Sequence, residues 1–304
     1  SYLIRKISNA GNMIFCLTRD QKQKINENGS IRWIKGDLLD KDSYKDILKK
    51  TDYIFHLAGL ITSRKKDDYT RVNIEGTQVL LKACKEVHAP LKQFVYMSSI
   101  AAMGPKHEDR LLQETDICSP SSEYGKSKYQ AEQIVLHYKD YFPVVILRPA
   151  FIYGKGDLRG LQFLKSLNNP ISLLWLSHIK SICICHVSDV VQGCLLALSK
   201  NYCSGEIFII ADSEINKWTD LWKSLEDTFH KILKSEHELH KDHKIIAISE
   251  FPTDRKIGFT DKKHYQYWAC DISKARKVLG FQPSMDFKQG AIDSIQWYID
   301  HDML

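Results

Sequence analysis

The chain switches hydrophobic period repeatedly along its first half, and this alternation constrains its fold more than any other feature. Short apolar runs at 12–17, 31–34, 52–58, 93–97 and 143–147 read as buried strands. Between them, 41–50, 68–88 and 122–139 space their apolar residues three and four apart, the helical pattern. Strands and helices alternating at this interval build right-handed βαβ units around a parallel sheet. The predicted class is therefore α/β, with a doubly wound parallel sheet.

Past Pro149 the texture is less regular. A strand near 181–187, a helix at 188–199, a strand at 206–210 and a helix near 217–230 interleave with irregular stretches. Asp271 is a good N-cap for a helix at 272–279, and Gly280 a good stop. The expected organisation is a dinucleotide-type domain over 1–153 and a smaller substrate-binding region over 154–304, with 181–200 returning to the main sheet. Tyr2–Ile7 predicts a helix that ends at Gly11. A helix opening a parallel α/β fold should itself follow a strand and a tight turn. The expectation is that a first strand and a glycine-rich phosphate loop stand before Ser1.

Composition narrows the function classes. Of 304 residues, 43% are hydrophobic and 26% charged, enough apolar mass for a normal core. The net charge of +6 is spread along the chain, whereas nucleic-acid binders cluster basic residues on one face. No nucleic-acid partner is expected. Eight cysteines form no CxxC pair, which fits a reducing cytoplasm. Cys183 and Cys185, two apart on a strand, read as buried small apolar groups. No apolar stretch approaches membrane-spanning length. His237, His240 and His243 recur at three-residue spacing without a matched metal pattern, and read as a solvated helix face. His186 reads as a packing residue. Trp175, Trp218, Trp222 and Trp268 read as core or interface aromatics, with one bordering a substrate pocket.

The chemistry concentrates in Tyr124-Gly-Lys-Ser-Lys128, which opens a helix after a Ser/Pro-rich loop. Tyr124 and Lys128 are four apart and share a helical face. A tyrosine with an ordinary pKa of about 10 exchanges protons poorly at neutral pH. A neighbouring ammonium would favour the phenolate, and the same lysine could hold a cofactor ribose. Ser99 lies just past the strand at 93–97, at the carboxyl end where parallel sheets bind ligands. Its hydroxyl could orient a substrate oxygen toward Tyr124, and the amide of Asn73 could position the lysine or a water.

These pieces belong to a longer series: Gly36-Asp-Leu38, His56-Leu-Ala-Gly59, Val72-Asn-Ile-Glu-Gly-Thr77, Tyr96-Met-Ser-Ser99, Tyr124 to Lys128, Leu147-Arg-Pro149, Ile152-Tyr-Gly154, His186-Val-Ser-Asp189 and Leu279-Gly-Phe-Gln-Pro283. Nine short motifs in this order resemble the extended short-chain dehydrogenases/reductases, in the NAD-dependent epimerase/dehydratase group. The resemblance covers nearly the whole chain except 230–268. It implies a Rossmann-type fold and an NAD(P)-dependent oxidoreductase. Tyr124 would be the acid/base, Lys128 its partner and ribose ligand, and Ser99 the orienting hydroxyl. Cofactor contacts would fall on Asp37 and Leu38 at the adenine, on Leu57, Ala58, Gly59 and Asn73 along the phosphates and ribose, and on Pro149 and Ile152 at the nicotinamide. Arg19, after the strand at 12–17, could pair with the extra phosphate of NADP, where an acid would hold the ribose of NAD. NADP is favoured, with NAD the alternative.

The reaction stays open among three readings. Ser99 is followed by Ile100, Ala101 and Ala102, without the acidic pair that a dehydratase of this group carries. Reversible hydride transfer at a secondary alcohol or ketone is the first reading. A nucleotide-sugar epimerase that retains NAD is the second, with Met103 standing where many sugar epimerases place an aromatic. A catalytically silent dinucleotide-binding sensor or assembly protein is the third, disfavoured because the Tyr–Lys pair is kept. The expected partner is a small molecule, with a nucleotide sugar one candidate and a homodimer the candidate assembly.

Overall fold

The computed structural model describes residues 2–8, 10–19, 29–166, 179–198, 202–239 and 265–304. Asp20, Trp175, His240 and His243 lie outside these residues.

Helix α1 (Tyr2–Ser8) is followed by Gly11 with φ of +75°, the stop the sequence implied. Strands β1 (Ile14–Thr18) and β2 (Ile31–Lys35) pair in parallel as a two-stranded sheet. A second, all-parallel sheet runs in the order β3 (Tyr53–His56), β4 (Gln93–Met97), β5 (Val144–Pro149) and β9 (Glu206–Ile210).

The two central strands, β4 and β5, show why this sheet is covered on both sides. Phe94, Tyr96, Val144 and Ile146 point into one core, shared with Leu81 and Ala83 of α4 (Gly76–Glu86) and with Ala131 and Val135 of α5 (Glu123–His137). The alternate residues, Val95, Val145 and Leu147, point into a second core with Val190, Val191 and Cys194 of α7 (Val187–Leu196). The period of two thus distributes one apolar run over two helix layers, as a parallel sheet buried on both faces requires.

Two expectations change in detail. The helix at 68–88 is interrupted: short α3 (Lys66–Tyr69) passes into a π-helical turn at Thr70–Glu75 before α4 begins. The strand at 181–187 divides at Cys183 into β7 (Ile179–Ile182) and β8 (Ile184–His186), and neither joins the main sheet. β7 lies between β10 (Asn216–Lys217) and β11 (Gln266–Trp268), while β8 pairs with β6 (Phe151–Tyr153). The Cys183 N–H, bonded to the Trp268 carbonyl, closes the pairing with β11, and from Ile184 the chain pairs with β6 instead. Of the 181–200 segment, α7 packs on the main sheet, and it is β9 that extends it.

A satellite core forms between α6 (Leu158–Ser166), α8 (Trp218–Leu239) and α9 (Phe287–Ile299), from Leu161, Leu164, Phe229, Ile295 and Tyr298. The Asp271 carboxylate accepts the Ser273 N–H at 2.8 Å. The helical turn that follows ends at Gly280 in the left-handed conformation, as its sequence signals imply. Among the described residues, no helix is long and apolar enough to cross a membrane.

Candidate active site

Two local structures set Tyr124 against Ser99. At the end of β4, Ser99 caps a short 3-10 turn (Ile100–Ala102), its Oγ accepting the Ala101 N–H at 3.1 Å. Ser122 caps α5 by accepting the Gly125 N–H at 3.0 Å. Gly125 itself faces the Ala101 carbonyl so closely that a Cβ there would collide with it. The bare backbone lets the first turn of α5 rest on the 3-10 turn, and the Tyr124 side chain reaches the Ser99 hydroxyl. Burial pushes the Tyr124 phenol above its ordinary pKa, opposed by the Ser99 hydrogen bond and the Arg159 charge and assisted by Tyr69. The tyrosine is therefore a protonated phenol at neutral pH.

Lys128 is 4% exposed, and burial lowers its pKa to about 7 against the opposing charge of Glu132. Its Nζ lies 4.3 Å from the centroid of the Tyr96 ring. The sequence predicted that this ammonium would lower the Tyr124 phenol. In the structure the Lys128 tip lies over the Tyr96 face and toward Gly59, while Ser99 and Arg159 are the groups that hold the Tyr124 phenol down.

Asn73 also has a different task from the expected one. Its Oδ1 accepts the Leu60 N–H at 2.6 Å, and its Nδ2 donates to the Leu60 carbonyl at 2.9 Å and to Ser127 Oγ at 2.8 Å. Both N–H groups of the amide are spent on fastening the loop after β3 to α5, and its oxygen adds a bond to the same loop.

The structure gathers Ser99, Tyr124, Lys128, Leu57, Gly59, Pro149 and Ile152 around one cavity of about 670 Å³. Ala58 is exposed in the same loop but does not line the cavity, and neither do Arg19, Asp37 or Leu38. Arg19 is exposed directly after β1. The Asp37 carboxylate accepts the Leu39 N–H at 3.0 Å, closing its own turn, while Leu38 packs over Gly76. Arg159 at the cavity, unassigned from sequence, sits at the start of α6 beside Asp157 at 3.7 Å. Trp218 and Trp268 border the cavity.

Comparison with known proteins gives the family. The sequence matches the NAD dependent epimerase/dehydratase family over residues 1–211. The chain belongs to that family. It is accordingly an enzyme with a Rossmann-type fold, of the extended short-chain dehydrogenase/reductase type. Among its relatives is the dTDP-D-glucose 4,6-dehydratase of Homo sapiens, 26% identical over 312 residues, covering 96% of this chain and 82% of that protein. Another, from Stigmatella aurantiaca, is 4-hydroxy-2-methyl-3-oxo-4-farnesyl-3,4-dihydroquinoline-1-oxide ketoreductase. It is 29% identical over 225 residues, covering 69% of this chain and 65% of that protein. A similar solved structure is the UDP-glucuronic acid 4-epimerase from Bacillus cereus in complex with UDP-glucuronic acid and NAD. It has a TM-score of 0.76 and 21% identity, covering 99% of this chain and 95% of that one.

This member of the epimerase/dehydratase family supports its site with groups that the sequence reading passed over. One turn beyond Lys128, Glu132 is fully buried and bonds Ser98 Oγ. It also accepts from Arg148 twice, from Nε at 2.9 Å and from Nη2 at 2.7 Å. The fork joins β4, α5 and β5 beneath Ser99 and Tyr124. Its signal was present: Glu132 follows Lys128 by four residues, and Arg148 lies within a quoted motif. What sequence lacked was the crossing of α5 over β5. His56 is likewise structural. Burial lowers its pKa to about 3, with Lys128 adding to the shift, and its Nε2 lies 2.8 Å from Thr77 Oγ1.

Proposed function

We propose that this enzyme carries out reversible hydride transfer at a secondary alcohol or ketone, with Tyr124 as the acid/base. The observation that carries the reading is the protonated Tyr124 phenol, hydrogen-bonded to Ser99 at the wall of a ligand-sized cavity and one helical turn from a buried lysine. A phenol held above its ordinary pKa suits proton donation to a carbonyl oxygen, the direction of reduction. Ser99 Oγ, oriented by the Ala101 N–H, donates to the phenol oxygen as its proton leaves, and would orient the substrate oxygen beside it. In oxidation the same proton returns from the alcohol to Tyr124.

The residues present fit a dinucleotide. Among the described residues no hydrogen-bond acceptor engages Lys128 Nζ, so a buried ammonium remains available for ribose hydroxyls. Gly59 leaves a space in which a Cβ would stand 3.7 Å from that Nζ. Leu57, Ala58, Pro149 and Ile152 would flank the cofactor, with Asp37 and Leu38 at its adenine end and Asn73 fixing the loop. The dinucleotide, when bound, supplies or accepts the hydride. Exposed Arg19 would take the 2′-phosphate of NADP, while the solved structure described above holds NAD. Cytoplasmic location accords with the eight unpaired cysteines.

The ketoreductase relative supports reduction. The dehydratase relatives favour a second reading, chemistry on a nucleotide sugar. Among the described residues the cavity's only carboxylate is Asp157, already beside Arg159, which weighs against an elimination that needs an acidic pair. The deciding test is Tyr124→Phe. Turnover should fall by about 10²–10⁴-fold while the dinucleotide Kd stays within a few-fold. Unchanged turnover would sink the assignment.

A further inference from the structure

Beyond its catalytic and charged groups, the cavity at Tyr124 is lined among the described residues mostly by apolar side chains, with the hydroxyls of Ser98, Ser294, Tyr153 and Tyr298 beside them. Ile61, Met97, Phe151, Ile182, Leu221 and Trp268 all line it, and none is among the residues assigned to the dinucleotide. Phe151 is 45% and Ile61 41% exposed, large apolar side chains left facing the cavity. Phe151 stands edge-on to Trp268, with ring centroids 6.0 Å apart. Among the described residues the lining contains no Asn, Gln, Thr, His or Glu, and its charged side chains besides Lys128 are Asp157 and Arg159. The volume of about 670 Å³ is shared: Leu57, Gly59, Lys128, Pro149 and Ile152 form the part assigned to the dinucleotide, and the apolar residues named above form the part left for a substrate.

A sugar ring presents an oxygen on nearly every carbon. Each hydroxyl brought against such a wall without a partner loses about tenfold in affinity. An apolar ring system loses nothing there and gains from covering Phe151, Ile61 and Trp268. Arg159 lines the same cavity as Tyr124 and, although it stands 3.7 Å from Asp157, offers the cavity a cationic contact besides Lys128.

We propose that the substrate is a ketone or secondary alcohol on an apolar, alicyclic or long-chain carbon skeleton, bound with its reacting carbon at Tyr124 and an acceptor or anionic group at Arg159. This rests on the hydride-transfer reading for the chemistry, and on the cavity walls alone for the substrate class.

The test uses the purified chain loaded with NADH or NADPH, with 2-decalone, a cyclohexanone carrying a carboxylate, UDP-glucose and UDP-glucuronic acid as probes. Binding is measured by calorimetry and turnover by the dinucleotide absorbance. The expected result is saturable 2-decalone binding and reduction, with kcat/KM about 100-fold or more above that for either UDP-sugar. Phe151→Asn should raise the KM for 2-decalone about tenfold with kcat held, and Arg159→Met should weaken calorimetric binding of the carboxylated ketone more than that of 2-decalone. Absence of saturable 2-decalone binding, or turnover confined to the UDP-sugars, overturns the proposal. Binding of 2-decalone that is lost in Phe151→Asn, without turnover of any probe, would instead uphold the apolar site and sink the hydride-transfer reading.

Discussion

Lys128 Nζ and the face of Tyr96 lie 4.3 Å apart, so the lysine of the helical Tyr–Lys pair is held by an aromatic ring of the strand beneath it. A ring quadrupole attracts an ammonium, but less strongly than the water it replaces, which is why burial leaves the Lys128 pKa near 7.

A pH signature follows. The folded pKa of Lys128 is below its ordinary 10.5, so between about pH 7 and 10.5 the unfolded chain binds the extra proton. Stability should therefore rise with pH across that window. Below pH 7 both states are protonated, and the full cost of burying the ammonium is present. Lys128→Met should raise the ligand-free stability at pH 6 by about 1–3 kcal/mol and flatten the rise above pH 7, measured by denaturant titration. An unchanged profile would mean that the lysine reaches water.

Tyr124 should titrate above an ordinary tyrosine in the ligand-free protein. Ultraviolet difference titration against Tyr124→Phe isolates its transition. Because the Ser99 bond and the Arg159 charge both hold it down, Ser99→Ala and Arg159→Met should each move the transition further up. A downward move in either variant would contradict the geometry.

Asn73 should act on the cofactor only through the loop it fastens. Asn73→Ala removes one bond from the Leu60 N–H and two from the Asn73 amide nitrogen, costing about 2–3 kcal/mol. Dinucleotide affinity should fall about tenfold, with kcat at saturating cofactor nearly kept. A loss confined to kcat would place Asn73 in the chemistry instead.

Glu132→Gln should be severe, because it leaves the buried Arg148 charge without a counterion. A loss of about 3–5 kcal/mol is expected, read from thermal or denaturant unfolding. The double change Glu132→Gln with Arg148→Met should recover a substantial part, as neither ion then remains buried alone. No recovery would show that packing, and not charge pairing, sets the cost.

Gly125→Ala places a methyl on the Ala101 carbonyl. Lifting the first turn of α5 should cost about 1–3 kcal/mol, and it should lower kcat far more than it raises KM, since Tyr124 would lose its register with Ser99. Equal losses at Gly290→Ala, which faces the end of the Tyr153 side chain, would argue against a specific effect on the site.

Much of the frame could be read from residues alone, since strand and helix periods are local properties. β4 and β5 appear where their apolar runs end, and the stop at Gly280 follows from its freedom at positive φ. The path from β7 to β8 was harder to read. A run such as Ser181-Ile-Cys-Ile-Cys-His186 is equally suited to one strand or two, and only the partners it meets, β11 up to Cys183 and β6 from Ile184, divide it. Asn73 and Lys128 were found by motif and given partners by spacing. Spacing along a helix places side chains on a common face but does not say which neighbour each will meet.

The sequence by itself determined a doubly wound α/β chain with Ser99, Tyr124 and Lys128 at the carboxyl edge of its sheet, because periodicity, caps and motif order are encoded along the backbone. Tertiary structure decided where Lys128 turns, what Asn73 holds, that Arg159 shares the cavity of Tyr124, and that Phe151 and Trp268 line it. Those features arise where segments far apart in the chain converge. Burial and the neighbouring charges then set each group's proton affinity, and neither can be read along a single strand or helix.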